Sequence, residues 1–282
     1  DNPFFVEWNT PFNTPPFNEI KTEHYLPAFE EGIKQQKAEI EIITNNSAEP
    51  TFENTIEAVE LSGNLLMKVY LVFNNLQSTD TNEEMDKIAQ ESVTMITKHN
   101  NDIYLNEKLF ERVNSIYQER DKLNLSIEQK TVLENYYLDF IDGGTNLSPT
   151  ERERFRQINE EIAQLTVTFG ENVRKENSNF QLIVDKKEDL VGLNEALVQS
   201  AREKAEAKGL TGKWIFTIDK PTLIPCLRYF ANREIREKLY KAYMNRGNNN
   251  NEFDNKKNLA RVISLRVEKA KLLGYKTYAD YK

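Results

Sequence analysis

Little in this chain would stop a helix. It holds ten glycines and nine prolines in 282 residues, well under the roughly 12% that this pair averages in proteins. Between these rare breakers the apolar residues recur at steps of three and four, the period of a helix with one packed face. The reading is therefore a mainly α chain, a bundle of long helices.

Each helix carries its own signals. The first begins at about Thr22, with Leu26, Phe29, Ile33, Ile40 and Ile43 inward. Before it, residues 1–20 hold four prolines and five Phe/Trp, which suits an extended arm pinned by aromatics. Ile56, Val59, Gly63, Leu66, Tyr70, Phe73 and Leu76 predict one long helix, with Gly63 allowing close approach. A helix from about Asn82 turns Met85, Ile88, Ser92 and Met95 inward, and another from near Asn106 turns in Leu109, Val113, Ile116 and Tyr117. Ser126 with Gln129, and Ser148 with Glu151, are capping boxes. The first of these helices ends at Gly143-Gly144. The second runs to about Asn177 and should bury Phe155, Ile158, Ile162, Leu165 and Phe169.

β-rich runs occur at 180–184 (FQLIV) and 214–218 (WIFTI), predicting one small two-stranded antiparallel element. A helix over 194–208 lies between them. Pro221 then breaks the chain, and helices follow over 222–245 and 255–273, separated by the Asn-rich loop 247–251. Residues 277–280 read as a helix start at the very end, which points to a longer parent chain.

Candidate chemistry is thin. A single cysteine, Cys226, excludes an intramolecular disulfide framework. His24 and His99 are the two histidines, and no HExxH, HxH or CxxC occurs. His24 and His99 could hold zinc only by meeting in space with a Glu, and Cys226 could be read as a nucleophile; the simpler reading is two surface or helix-face histidines and a buried small thiol. Glu30-Glu31, Glu83-Glu84 and Glu160-Glu161 are adjacent pairs; neighbours on a helix diverge by about 100°, so each pair reads as a solvated face. Gly209, Gly212, Gly143 and Gly144 belong to no phosphate-binding pattern. Arg228, Arg233, Arg236 and Lys238 alternate with Glu234 and Glu237 and read as surface ion pairing. Trp8 and Trp214 read as core anchors. A net charge of −8 argues against nucleic acid or an anionic membrane as main partner, and no apolar run is long enough to span a bilayer.

Six ordered blocks carry a family resemblance: 2–40, 50–76, 148–173 (SPTERERFRQINEEIAQLTVTFGENV), 208–221 (KGLTGKWIFTIDKP), 232–247 (NREIREKLYKAYMNRG) and 265–281 (LRVEKAKLLGYKTYADY). Together they resemble the thimet oligopeptidase family of zinc metallopeptidases. Stretches 23–40 and 101–113 are more similar to its bacterial dipeptidyl carboxypeptidases than to the endo-acting oligopeptidases. The resemblance implies two helical lobes flanking a deep, narrow channel for short unstructured peptides. It also implies a zinc ion held by the two histidines of an HExxH helix and a later Glu, with release of C-terminal dipeptides. None of those residues is present here, so no catalytic, cofactor-binding or metal residue is assigned, and no zinc site or activity is expected of this chain alone. On this reading 1–220 is an N-terminal helical domain with the β-ribbon, and 221–282 opens the catalytic segment, cut before the zinc motif. The partners implied are short peptides and the missing C-terminal catalytic portion. Two alternatives remain: the endo-acting branch, and a stand-alone non-catalytic helical interaction module. The compartment is bacterial cytoplasm or periplasm, with Asp1 in place of Met tilting toward a removed leader and the periplasm.

Overall fold

The structure, a computed structural model, describes residues 1–282. Its contacts divide the chain into two compact units. Unit 1 comprises Asp1–Val167 with Val262–Lys282, and unit 2 is Thr168–Arg261. These units are drawn by packing and do not follow the 1–220 and 221–282 division, which came from the family resemblance.

In unit 1 the arm is held by two of its aromatics. Phe4 is fully buried and Trp8 packs beside it, whereas Phe5, Phe12 and Phe17 are exposed. Lys68 fastens the arm by donating to the carbonyls of Phe4 (3.2 Å) and Val6 (3.1 Å). Helix α1 (Tyr25–Thr44) follows. It buries Tyr25, Phe29, Ile40 and Ile43 and packs on α3 (Asn64–Thr79), α4 (Glu83–Tyr104) and α5 (Glu107–Gln118). Gly32 faces α3 so closely that a Cβ there would lie 2.8 Å from Leu66 Cα.

The single long helix expected across residues 56–76 is interrupted. A π-helical turn, Phe52–Glu57, leads into the short α2 (Ala58–Glu60), and the chain turns at Leu61–Gly63 before α3 begins. Gly63 has φ +71°, a left-handed value that ends one helix and caps the next. Apolar spacing carries through the break, so periodicity alone does not reveal it. Tyr70, expected inward, is exposed, while Val69, Val72 and Phe73 are buried.

The remaining starts follow their caps. Asn82, Asn106 and Ser126 each accept the N–H of the residue three further on, opening α4, α5 and α6 (Ile127–Asp142). Helix α7 (Pro149–Asn179) is longer than the sequence suggested by about half a turn. Its inward face is buried only near the start: Phe155 and Ile158 are enclosed, Ile162 and Leu165 are half-buried, and Phe169 is 39% exposed. A truncation at Phe169 therefore removes less packing than at a fully enclosed site, contrary to the expectation of a fully buried stripe. Helix α11 (Lys256–Leu272) returns to unit 1, burying Val262, Leu265 and Ala270, and the capped turn α12 (Tyr278–Tyr281) closes the chain.

Unit 2 is built around the β-ribbon. β1 (Leu182–Val184) and β2 (Trp214–Phe216) pair antiparallel with Ile183 opposite Ile215, shorter than the two five-residue runs but in the expected arrangement. Helix α8 (Glu195–Glu206) packs on β2. The helix expected over 222–245 is two helices, α9 (Lys220–Tyr229) and α10 (Arg233–Met244), because Asn232 caps α10 by accepting from Glu234 and Ile235 N–H. Pro221 sits in the first turn of α9, behind the Asp219 cap, and so begins a helix. The unit's core joins Val184, Phe216, Ile218, Leu223, Cys226, Phe230 and Leu239.

Substituting Gly32 with Ala should destabilise the chain by ~1–3 kcal/mol, since a backbone must move to admit the methyl. Gly170→Ala, in α7 with nothing within 4 Å of the added carbon, should be neutral or stabilising by up to about 1 kcal/mol. Urea unfolding of both variants checks the contrast; equal effects would refute the close approach.

Candidate functional site

Three polar constellations lie where helical periodicity calls for apolar side chains. The first is in unit 1. On α11 the buried stripe Val262, Leu265 continues at the next turns to Lys269, a lysine on a core-facing row. Lys269 Nζ donates to Asn159 Oδ1 at 2.7 Å, and Asn159 Nδ2 donates to Asn101 Oδ1 at 2.9 Å. Burial pushes the Lys269 amine down to about 8, with Lys282 adding to the effect. Its ammonium lies 4.8 Å from the Phe155 ring centre. A cavity of about 350 Å³ opens here, lined by Asn101, Asn159, Lys269, Asp139, Asp142 and Tyr281 among others. Burial, reinforced by Asp142, raises the Asp139 carboxyl, and burial pushes the Tyr281 phenol up to about 12. Tyr275 donates its hydroxyl to Asp142 Oδ1 at 3.0 Å.

The second constellation, also in unit 1, contains His99, which is 1% exposed. Ser62 Oγ donates to the Val59 carbonyl and accepts from Gln36 Nε2. Gln36 must then present its oxygen to His99 Nε2, 2.7 Å away, so that nitrogen carries the proton. Nδ1 is left as a buried acceptor without a protein donor. Burial, then Lys37, lowers the His99 pKa from its ordinary 6.5. Asp102 stands nearby, held by Arg156 (2.7 Å) and Lys37 (3.3 Å).

The third is in unit 2. Glu176, 7% exposed, continues the apolar row of α7. Its carboxylate accepts from the Gly247 N–H, from Asn249 Nδ2 and from Asn251 Nδ2 (2.7 Å). The Asn-rich loop 247–251 is thus wrapped around one buried carboxylate.

The sequence candidates fall elsewhere. His24, at the start of α1, accepts the Lys21 N–H at Nδ1 (3.0 Å). Cys226 is fully enclosed in the unit 2 core, where burial pushes its thiol up to about 12, so a thiolate nucleophile is not available at neutral pH. In the acidic pairs one member of each is engaged: Glu31 binds Lys34 and Gln35, Glu84 accepts from Thr22, and Glu160 faces Lys98. Of the basic cluster, Arg236 caps the carbonyls of Phe230 and Ala231, and Glu237 pairs with Lys241. Lys269 and Glu176 were detectable as charges on apolar rows; Asn101 and Asn159 give no local signal.

Comparison with known proteins sets this geometry in a family. Residues 226–282 match the model of Peptidase family M3. Over 281 residues, the whole of this chain, identity is 35% to dipeptidyl carboxypeptidase of Escherichia coli, covering 41% of that protein. It is 30% to oligopeptidase A of Haemophilus influenzae, over 94% of this chain and 39% of that protein. The chain is similar to peptidase family M3 over residues 226–282 and to these two relatives along nearly all of its length. It spans about two fifths of the length of these relatives.

A zinc ion, which the likeness to family M3 brings into question, does not fit the side chains present here. No three His, Cys, Asp or Glu are gathered where they could hold a metal. His24, His99 and Cys226 each have separate surroundings, and His99 has already committed Nε2 to Gln36. No catalytic step is drawn through these residues.

Replacing Glu176 with Ala leaves the Gly247, Asn249 and Asn251 donors without their acceptor and should cost ~2–4 kcal/mol. Glu176→Gln, which keeps one acceptor oxygen, should cost less. Limited proteolysis should show new cleavage within 247–251 in the Ala variant; an unchanged digest and unchanged urea midpoint would contradict the clamp.

Proposed function

We propose that this chain is the N-terminal helical part of a zinc metallopeptidase that removes C-terminal dipeptides from short peptides. The observation that carries the reading is the 35% identity to a dipeptidyl carboxypeptidase along the entire chain. The match of 226–282 to the family model supports treating the residues from about 221 onward as the lead into the catalytic segment. Zinc and its ligands would then reside in further sequence.

The role of these residues in that enzyme is steric. Long helices packed into a rigid wall admit an extended peptide and exclude a folded protein, and contacts spread along such a wall supply the energy that orders a flexible substrate. Exposed apolar pairs one turn apart, Tyr240 and Met244 on α10 and Ile263 and Val267 on α11, suit burial against the remainder of a longer polypeptide. The endo-acting alternative draws on the 30% identity to an oligopeptidase A.

The test is an enzyme assay on a chain extended to the length of the relatives, given peptides blocked at either end. The expected result is chelator-sensitive release of C-terminal dipeptides from N-blocked peptides, with C-terminally amidated peptides resistant and residues 1–282 alone inactive. Internal cleavage of doubly blocked peptides would replace this reading with the oligopeptidase one, and no chelator-sensitive hydrolysis would refute both.

A further inference from the structure

The Lys269 cavity of unit 1 presents a donor that the protein does not answer. Lysine offers donors only, so the bond from Lys269 Nζ fixes Asn159 with its oxygen toward the ammonium. Asn159 must then give its NH₂ to Asn101, and Asn101 must receive it on its own oxygen. The amide orientations are forced along the chain, leaving Asn101 Nδ2 as a donor. Asn101 is 5% exposed, lines the cavity, and its Nδ2 has no acceptor. A buried N–H without a partner costs ~1–3 kcal/mol, so an acceptor is called for. Lys269 lines the same cavity and keeps N–H groups beyond the one that Asn159 takes. An amide NH₂ and an ammonium on two side chains that line one cavity are the complement of a carboxylate.

We infer that this cavity binds a small carboxylate ligand, its oxygens taken by Asn101 Nδ2 and Lys269 Nζ. At about 350 Å³ the space accommodates a group of dipeptide size. The rim carboxylates Asp139 and Asp142 suit a cationic amine at the other end of such a ligand; one Asp142 oxygen is already engaged by Tyr275. The site draws on unit 1 alone.

Binding must follow the charge of Lys269. The groups facing it are Asp139 and Asp142 from α6, Tyr104 from α4, and Tyr281 and Lys282 from the C-terminal turn. With its amine near 8, Lys269 is largely charged at neutral pH and loses its charge as pH rises through that value. Affinity should be full below the lysine pKa and fall above it.

The experiment is an NMR or calorimetric titration of the 282-residue chain with glycylglycine, glycylglycinamide and acetate. Saturable binding of glycylglycine, at least about tenfold tighter than its amide, weakening above pH 8–9, and lost in Asn101→Asp and Lys269→Met, is expected. Acetate binding as tightly as glycylglycine would assign the site to free carboxylates, and acetate binding about tenfold more weakly would assign it to peptide C-termini; both support a carboxylate site. Equal binding of acid and amide on the unaltered chain would overturn the inference. So would no saturable binding by either acid, in which case water meets the Asn101 donor. The acid–amide contrast stands even where a variant fails to fold.

Discussion

The packing of unit 1 depends on a side chain that is not there. Gly32, Gln36 and Glu39 fall at i, i+4 and i+7 on α1, one continuous row. Gly32 lets the backbone of α3 approach at Leu66. Gln36 occupies the space where a Cβ on Gly63 would lie, and Glu39 accepts the Gly63 N–H at 2.7 Å. The row thus holds the turn that ends α2 and starts α3. Its other partner is α4, because Gln36 also receives His99. Above it Tyr25 and Phe29 meet Phe73 edge-on, at 5.0 and 5.6 Å. Below it Ile40 and Ile43 enter the cluster of Leu109, Val113, Leu133 and Phe140.

Buried charges do for loops what the apolar rows do for helices. Arg112, 7% exposed, donates to Thr55, to Asn54 and to the carbonyls of Asn46 and Ala48. It thereby fixes the connection between α1 and the π-helical turn. Glu176 does the same for 247–251 in unit 2 with the sign reversed. In each case the charge is stable inside because several hydrogen bonds meet it, and the loop is ordered because its polar groups have no better partner.

This division explains what the sequence disclosed. Caps are local, and Asn82, Ser126 and Thr277 are legible because each bonds a backbone N–H three residues on. The β-ribbon is legible because two runs of branched and aromatic residues stand out in a helical background. The break at Gly63 was hidden because spacing reports side-chain direction and not φ. The exposure of Phe169 was hidden because a periodic face says which way a residue points and not what lies against it. Arg112, Asn101 and Glu176 take partners roughly 60 to 75 positions away, beyond the reach of any local pattern. The likeness to family M3 was legible from blocks spread along the whole chain, while a catalytic site was not, since these residues assemble none of the expected ligands.

Native-state hydrogen exchange on the 282-residue chain tests most directly whether the Gly32–Gln36–Glu39 row holds unit 1 together. The Gly63 amide lies outside any helix, yet it is bonded to Glu39. The expected result is that Gly63 is protected and opens at the same free energy as the central amides of α1 and α3, as one cooperative unit. A Gly63 amide that exchanges at the rate of a free loop, with α3 opening at its own lower free energy while α1 stays closed, would contradict it.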